Sequence, residues 1–417
     1  MTRWALILIC GAIRARAADP DPTLVLQRVA IKTMVRANTL PNYTCVQTVN
    51  RDFYRPLATA VGQTCAKVLE QRQLPTFDTG LRLILTDRLR LDVTLTSQGE
   101  IYSWVGASKF EDSGIASVVH QGPIATGSFG AFLTIIFGQD PKSFQYQGTV
   151  RENGRTLMEY RFRVEKEESH YKVRVPDSWV HTGYSGSIWL DPATFEVARM
   201  MVQTDELPEA TGSCQTTARM EFGMVRIGDS EFPLPKQGGQ RFVDINGGET
   251  ENTTTFASCR EYRGESTITF FPAPEAAGSG QSSAAPPAAI PAGLAFTFEL
   301  TTPISSDNAA GGDPFSGRLV SALRVKGKTI APAHAVVEGR LLRVEVRRVA
   351  PMGANFVLKL RTVEVAGVKI PIEATRDLRH ERRLLLPHRW EENSGVFQLL
   401  GGHPVIKAGT RSDWLTN

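Results

Sequence analysis

The chain has 417 residues, of which 41% are hydrophobic, and its 47 basic and 43 acidic side chains nearly balance. This length exceeds one ordinary domain and is enough for two hydrophobic cores. An average apolar content without any run of 18 apolar residues indicates a globular chain, and the small net charge gives no general reason to expect a nucleic-acid-binding protein.

The first 17 residues have the features of a secretory signal peptide. Arg3 supplies the basic start, Trp4–Cys10 is a short apolar segment, and Ala15-Arg16-Ala17 places small residues at the −3 and −1 positions of a cleavage site. The apolar segment is too short to span a membrane. The sequence therefore predicts export through a cleaved signal peptide, to the periplasm of a Gram-negative cell envelope or to the medium.

Four cysteines remain after the predicted cleavage: Cys45, Cys65, Cys214 and Cys259. An even number in an exported chain predicts two disulfides. Three pairings are possible, and the local one, Cys45 with Cys65 and Cys214 with Cys259, would tie neighbouring strands. Zinc is the competing interpretation, but no two cysteines have the spacing of a zinc site and no histidine lies close to any of them.

Helical and strand patterns alternate unevenly along the first 271 residues. Asp21 caps a predicted helix that runs to Asn38, with apolar residues at helical spacing. Strands follow at Tyr43–Tyr54, at Leu81–Leu95, where odd positions other than Asp87 are apolar, and at Ile101–Val105. Later strands are predicted near residues 144–150, 156–164, 218–227, 240–245, 253–262 and 266–271.

Two stretches predict antiparallel hairpins. Asn153-Gly154 supplies the two positive-φ positions of a type I′ turn. In Gly183–Gln203 two alternating strands flank Asp191-Pro192-Ala193-Thr194, whose Asp and Pro favour a type I turn.

An apolar helix is predicted to lie on this sheet. Ser128 caps a segment whose aromatic and aliphatic residues form one stripe. The sequence does not distinguish a filled core from a hollow one. The candidate residues for an apolar ligand-binding groove are Trp104, Phe129, Phe132, Ile136 and Trp189.

A linker and a basic, β-rich region complete the chain. Residues 272–291 are dominated by Pro, Ala, Gly and Ser, which predicts a linker between an α+β domain at 18–271 and a β-rich domain at 292–417. Ser316–Trp390 has ten more basic than acidic residues. Alternating strand positions predict an outward basic face that contacts an anionic envelope polymer, with the candidate residues Arg340, Arg343, Arg347 and Arg348.

Two stretches carry a resemblance to known proteins. Leu40–Val49, LPNYTCVQTV, is similar to the opening of exported, uncharacterised proteins of acidobacterial type. The helix, the antiparallel strands and the hairpin with Ser185–Thr194, SGSIWLDPAT, resemble the LolA and LolB lipoprotein-carrier core over Asp21–Phe271. This resemblance implies an incomplete barrel around a helix, with an apolar concavity able to hold an acyl chain or a peptide.

No catalytic motif stands out. Gly183-Tyr184-Ser185-Gly186-Ser187 nearly matches a hydrolase elbow, but it enters a hairpin where the elbow needs a strand-to-helix turn. The seven histidines are scattered singly, so neither a metal nor another cofactor is predicted. Aromatic residues for base stacking are sparse in the basic region, so nucleic acid is the least favoured partner.

The predicted fold is α+β: an open antiparallel sheet, or half-barrel, with one or two packed helices, followed by a small all-β C-terminal domain. The predicted function is a non-catalytic cell-envelope protein that binds a lipid, an acyl chain or a partner peptide, such as a lipoprotein segment, on a concave sheet. The alternatives are a secreted hydrolase with a triad assembled from distant residues, and an envelope adhesion or assembly scaffold.

Overall fold

The structure is a computed structural model that describes residues 20–39, 43–57, 64–73, 80–96, 99–107, 115–119, 122–126, 131–140, 143–152, 154–176, 178–227, 229–261, 290–377 and 391–417. The predicted signal peptide, most of the linker and the predicted strand at 266–271 lie outside these residues. The helices are α1 (Pro22–Thr39), α2 (Cys65–Gln73), α3 (Ile115–Val118) and α4 (Ala131–Thr134), which continues as a π-helical turn, Ile135–Gln139. No described helix is long and apolar enough to cross a membrane.

The described residues contain 24 strands, of which twelve lie between residues 43 and 261: β1 (Tyr43–Pro56), β2 (Leu81–Thr96), β3 (Gly99–Trp104), β4 (Gln145–Glu152), β5 (Arg155–Val164), β6 (Lys172–Val175), β7 (Ser178–His181), β8 (Tyr184–Asp191), β9 (Glu196–Thr204), β10 (Ser213–Ile227), β11 (Ser230–Asp244) and β12 (Glu249–Glu261). Ten of them form one antiparallel sheet in the order β4-β5-β8-β9-β10-β11-β12-β1-β2-β3. The remaining two, β6 and β7, pair only with each other.

Twelve further strands follow residue 290: β13 (Ala295–Leu300), β14 (Ile304–Ser305), β15 (Pro314–Leu319), β16 (Leu323–Val325), β17 (Lys328–Ala331), β18 (Val336–Arg347), β19 (Gly353–Val365), β20 (Val368–Pro371), β21 (Ala374–Arg376), β22 (Gly395–Leu400), β23 (Val405–Ile406) and β24 (Arg411–Thr416). The main order is β21-β24-β13-β15-β18-β19, and β20 and β22 share the other edge of β19. The predicted α+β class with an open antiparallel sheet is confirmed.

Both predicted hairpins are confirmed. Strands β4 and β5 flank Gly154, whose φ of 76° suits the expected turn. Strands β8 and β9 flank the Asp191 turn, where the Asp191 carboxylate accepts hydrogen bonds from the Ala193 and Thr194 amides at 2.9 and 3.2 Å. The near-match to a hydrolase elbow enters the β8–β9 hairpin, as predicted: Gly183 directly precedes β8 and the other four residues lie in it.

The two halves of the chain join in one sheet, which the sequence did not predict. Glu345, Val346 and Arg347 of β18 pair with Asp87, Thr86 and Leu85 of β2. A second contact follows at Gly311, whose amide donates to the Arg88 carbonyl at 2.8 Å and whose carbonyl accepts from the Arg90 amide at 2.7 Å. The region after residue 290 therefore extends the first sheet, and the predicted boundaries at residues 271 and 292 stay a prediction.

We call the junction of β2 with Gly311–Gly312 and with Glu345–Arg347 the seam. Close approach of the two backbones at the seam depends on glycine. At Gly312 φ is 105°, and a Cβ atom there would lie 2.2 Å from the Arg90 carbonyl oxygen and 2.8 Å from the Trp104 ring. Only glycine combines that backbone conformation with such close contact.

Two disulfides are present, as predicted, but the local pairing is not the one observed. Cys45 pairs with Cys259, and Cys65 pairs with Cys214. The first links the neighbouring strands β1 and β12, which are far apart in sequence. The second attaches α2, a helix that the sequence did not reveal, to the start of β10. The predicted local pairing was wrong because β1 lies between β2 and β12 in the sheet. Cys45 of β1 therefore meets Cys259 of β12, which is distant in sequence.

A buried ion pair explains the one break in the apolar alternation of β2. Asp87 is 7% exposed, and its carboxylate accepts hydrogen bonds from Arg51 Nε at 2.7 Å and from Arg51 Nη2 at 2.5 Å. The two residues are direct cross-strand partners on β1 and β2. Bidentate geometry of this kind compensates for part of the cost of burying both charges.

We predict that Asp87→Ala lowers the free energy of unfolding by about 3–5 kcal/mol, because it removes the carboxylate that the buried guanidinium faces. Urea unfolding without reductant measures the change. The control is Glu152→Ala, which removes the partner of Arg199 in an exposed pair and should cost less than about 1 kcal/mol. Equal effects of the two substitutions would contradict this account. The double variant Arg51→Met/Asp87→Leu should recover most of the loss.

Helix α2 is held on the sheet by charges as well as by its disulfide. Arg72 pairs with Glu249, and Arg241 Nε lies 2.7 Å from the same carboxylate. Asp244 lies beside this cluster, and burial raises its pKa to about 6 against the opposing pull of Arg72. The folded state therefore holds this proton more tightly than the unfolded chain does, for which the pKa is about 3.9.

The stabilising contribution of that proton is full below about pH 4 and is lost as the pH rises through about 6. We therefore predict that, as the pH rises from 4 to 7, the unfolding free energy of Asp244→Asn increases by roughly 1–2 kcal/mol relative to that of the wild type. Urea unfolding at both pH values measures this gain. Asp229→Asn, on an exposed turn, is the control, and the same pH dependence in it would show that the cause lies elsewhere.

Candidate functional site

A small apolar cavity lies between α1, α4 and the face of the sheet that these helices cover. Its volume is about 60 Å³, which is room for on the order of four water molecules. Five strands of the sheet, β1, β2, β9, β10 and β11, contribute mainly apolar side chains. Helix α1 supplies small or polar side chains, and α4 supplies Leu133 and Thr134. The lining residues are Thr33, Arg36, Ala37, Tyr43, Leu95, Leu133, Thr134, Glu196, Val197, Phe222, Pro233, Leu234 and Pro235.

Helix α1 creates the space through a change in side-chain size along one stripe. Val25 and Val29 are buried against the sheet in its main hydrophobic cluster. The same stripe continues at intervals of four residues with Thr33 and Ala37, which line the cavity. Since Ala37 is much smaller than valine and Thr33 is polar, the last turns of α1 do not fill the space that its first turns fill.

An ion-pair network stands at the edge of the cavity. The Glu196 carboxylate lies 2.5 Å from Arg36 Nη1 and 2.5 Å from Lys32 Nζ, and Lys32 Nζ also donates to the Thr194 carbonyl at 2.7 Å. These contacts join α1 to the β8–β9 hairpin. Two cations and one carboxylate therefore meet at this edge of the cavity.

Asp140 attaches the end of α4 to the sheet and to the β6–β7 hairpin. Its side chain is fully buried and accepts hydrogen bonds from the Tyr184 hydroxyl at 2.6 Å and from the His170 amide at 3.1 Å. His170 Nδ1 lies 2.5 Å from the same carboxylate. Burial, together with the bond to Asp140, raises the pKa of Tyr184 well above its usual value. Phe132 of α4 packs on Tyr171, with 5.3 Å between ring centroids.

An Asp–His pair is also a component of hydrolase triads, and the predicted hydrolase alternative depends on it. In the part of the chain that the structure describes, no hydroxyl group hydrogen-bonds the ring of His170, and His181 Nδ1 contacts only the Ser169 carbonyl. The arrangement therefore has an orienting carboxylate and a histidine without a described nucleophile. Likewise, no group of three or more His, Cys, Asp or Glu in that part is arranged to hold a metal ion.

The structure brings together only some of the predicted groove residues. Phe132 and Ile136 lie on one face of the α4 segment and are buried in the main cluster, and Leu133 between them lines the cavity. Phe129 lies outside the described residues. The predicted attachment of this helix to the sheet is thus present, but Phe132 and Ile136 belong to its packed core.

The two tryptophans lie elsewhere. Trp189 alternates with the buried Ile188 and Leu190, so it is on the opposite face of β8, where Arg199 lies 4.2 Å from its ring centroid. Trp104 packs against a second cluster and reaches the seam near Gly312. Of the four candidates among the described residues, the two tryptophans therefore lie apart from Phe132 and Ile136.

The predicted basic face also needs correction. Arg340 and Arg343 are 6% and 7% exposed because β18 lies at the seam with β2. Burial, with repulsion from Arg361, lowers the pKa of Arg340 to about 10. Arg343 lies 3.4 Å from Glu345 of its own strand and 3.7 Å from Glu391, so it pairs with two carboxylates.

The other two arginines of this set are more accessible. Arg347 is partly buried, whereas Arg348 is exposed and donates to the Thr86 hydroxyl at 3.1 Å. Arg348 thus also contacts the first half of the chain. The contact with an anionic polymer stays a prediction, and only Arg348 of the four is exposed to make it.

The residues that define the cavity were missed at the sequence level. Thr33 and Ala37 lie on a predicted helix, but its helical period does not show where the stripe stops filling the core and begins to line a cavity. Neither Glu196 nor Asp140 lies in a sequence motif that predicts a role for it. The one available signal was the predicted position of Glu196 directly after the Asp191 turn, where it can reach the helix that covers the sheet.

Comparison with known proteins gives little beyond this geometry. No protein-family profile and no curated protein matches the chain. Among solved structures, a putative outer membrane lipoprotein-sorting protein domain from Vibrio parahaemolyticus is similar, at 11% identity and a TM-score of 0.28, over 57% of this chain and 92% of its own. A DUF1329 family protein from Desulfovibrio piger has 11% identity and a TM-score of 0.26 over 59% and 96%. TM-scores of this size carry no argument, so the site is judged on its own contacts.

We predict that Asp140→Ala loosens α4. The substitution leaves the Tyr184 hydroxyl buried without its acceptor, which should cost about 2–4 kcal/mol of unfolding free energy. Hydrogen exchange should quicken most in residues 131–140. His170→Ala, which removes a half-exposed ring, should have a smaller effect on both measurements. Unchanged exchange in Asp140→Ala would show that other contacts hold the helix.

Proposed function

We propose that this protein is a non-catalytic, exported cell-envelope protein that binds an acyl chain between its helices and its sheet. The observation that carries the proposal is the apolar cavity under α1 and α4, with the charged network of Lys32, Arg36 and Glu196 at its edge. Ligand sites of this kind combine an apolar lining with a few polar groups that fix orientation.

The chemistry of the lining favours a hydrocarbon ligand. Leu95, Leu133, Val197, Phe222 and Leu234 face the space and offer no hydrogen bonds. Burying a methylene group among them is worth about 0.8 kcal/mol. The ammonium group of Lys32 and the guanidinium group of Arg36 at the edge are cations of the kind that bind a carboxylate or phosphate at the head of such a chain.

The size of the cavity implies movement on binding. About 60 Å³ is well below the roughly 300–1,000 Å³ of sites that enclose larger ligands. An acyl chain would therefore enter as α1 or α4 moves away from the sheet. Helix α4 is the better candidate for movement because it is short and continues as a π-helical turn, whereas α1 has 18 residues.

Export is supported by the two disulfides. Stable disulfides are typical of the periplasm and of secreted proteins, where thiols are oxidised. One of them closes 214 residues of sequence and the other 149. A cytosolic location would leave both cysteine pairs in a reducing environment.

Binding of cis-parinaric acid, a fluorescent fatty acid, tests the proposal. The wild type should enhance its fluorescence saturably, and Ala37→Phe should weaken binding by at least about tenfold, because the new ring occupies the space that a ligand needs. The matched control is Gln27→Phe, which places the same ring on the exposed side of α1 and should bind like the wild type.

Circular dichroism of each variant checks that α1 still forms. Absence of saturable binding by the wild type would contradict the proposal. So would equal affinity of Ala37→Phe and Gln27→Phe, because the probe would then bind outside the cavity.

A further inference from the structure

The β6–β7 hairpin carries a set of residues that the cavity does not use. Its two strands form a sheet of their own, apart from the main sheet. The cross-strand pairs are Lys172 with His181, Val173 with Val180, Arg174 with Trp179, and Val175 with Ser178. Because opposed residues in an antiparallel pair share a face, the hairpin has one apolar face and one face with cations and an aromatic ring.

The second face consists of Lys172, Arg174, Trp179 and His181, and all four residues are exposed. We call it the Trp179 face. Trp179 is 59% exposed, which makes it one of the most exposed large hydrophobic residues in the described chain. Neither Lys172 nor Arg174 forms an ion pair with any described residue. This differs from the arginines of β18, which lie in the seam.

From this combination we propose that the Trp179 face docks the protein on an anionic lipid surface. A tryptophan ring is favoured at the level of lipid headgroups, where its apolar body and its N–H group are both satisfied. Lysine and arginine beside it gain from the negative potential of anionic lipids. The proposal goes beyond acyl-chain binding and does not require it.

Lipid fits this face better than nucleic acid does. Binding to a single-stranded nucleic acid relies on several aromatic side chains that stack successive bases, and this face has one. A membrane needs only a shallow apolar anchor with neighbouring cations. The exposed Glu167 and Glu168 precede the hairpin, whereas Arg174 and Trp179 are the members of the face closest to its turn.

The hairpin adjoins the helix that covers the cavity. Tyr171, directly before β6, packs on Phe132 of α4, and the neighbouring His170 binds Asp140 at the end of the same segment. A membrane bound to the Trp179 face would therefore lie next to α4. This places the docking surface beside the proposed moving part of the cavity.

Co-sedimentation of the purified protein with lipid vesicles tests the proposal. The protein should bind vesicles of phosphatidylcholine mixed with phosphatidylglycerol more tightly than vesicles of phosphatidylcholine alone. Since each cation near the surface is worth about 1 kcal/mol, or roughly fivefold in binding, Lys172→Glu/Arg174→Glu should weaken binding by at least about 25-fold. Trp179→Ala should weaken it by about tenfold or more.

The chain offers a matched control on another exposed hairpin. Strands β16 and β17 also form a two-stranded sheet with exposed cations, but they carry no aromatic residue. Arg324→Glu/Lys328→Glu makes the same change of charge there and should reduce vesicle binding by less than about threefold, the effect expected of net charge alone.

Three results would overturn the proposal: no preference for phosphatidylglycerol, equal losses in the two double variants, or full vesicle binding by Trp179→Ala. Binding of single-stranded DNA that depends on Trp179, without vesicle binding, would assign the face to nucleic acid instead. Trp179→Ala should leave cis-parinaric acid affinity unchanged. Failure of docking is thereby separated from failure of the cavity.

Discussion

The ion pair between Arg51 and Asp87 is the constraint on which the rest of the sheet depends. Each residue lies opposite the other on β1 and β2, and the backbone of Asp87 also pairs with Glu345 of β18. A shift of one strand by one residue would turn its charged side chain to the other face of the sheet and separate the pair. The pair thus fixes two neighbouring strands at the point where the second half of the chain is attached.

With the register fixed, the helices determine what the sheet can do. The long helix α1 is packed by its first turns and leaves space under its last turns, where Thr33 and Ala37 replace valine. The short α4 closes that space and depends on the buried Asp140 for its attachment. In the proposed function the short helix α4 would move while α1 stays in place, so that the site would open on one side. The exposed hairpin adjoins α4 through the contact of Tyr171 with Phe132.

Local patterns in the sequence predicted most of the elements but not their long-range relations. Alternation gave the long strands, Asn153-Gly154 and the Asp191 turn gave the hairpins, and Asp21 gave the start of α1, since each signal lies within a few residues. Helix α2 was missed because its anchor, Cys214, is 149 residues away. The cavity was missed because it forms where the side chains of elements distant in sequence are too small to fill the space between them. Hydrophobic periodicity contains no information about that volume. The arginines of β18 were predicted to be exposed because alternation along one strand does not show what packs against its polar face. In the structure Arg340 and Arg343 are buried.

The ladder between β2 and β18 has a consequence for how the molecule comes apart. A separate domain on a linker would melt at its own temperature. Here β18 of the second half pairs with the edge of β2. Without that pairing, the edge would expose backbone amides and the charges beneath them. The pairing of β2 with β18 thus couples the two halves of the chain. Calorimetry should accordingly record a single heat-absorption peak for the whole chain, as is typical of one cooperative unit.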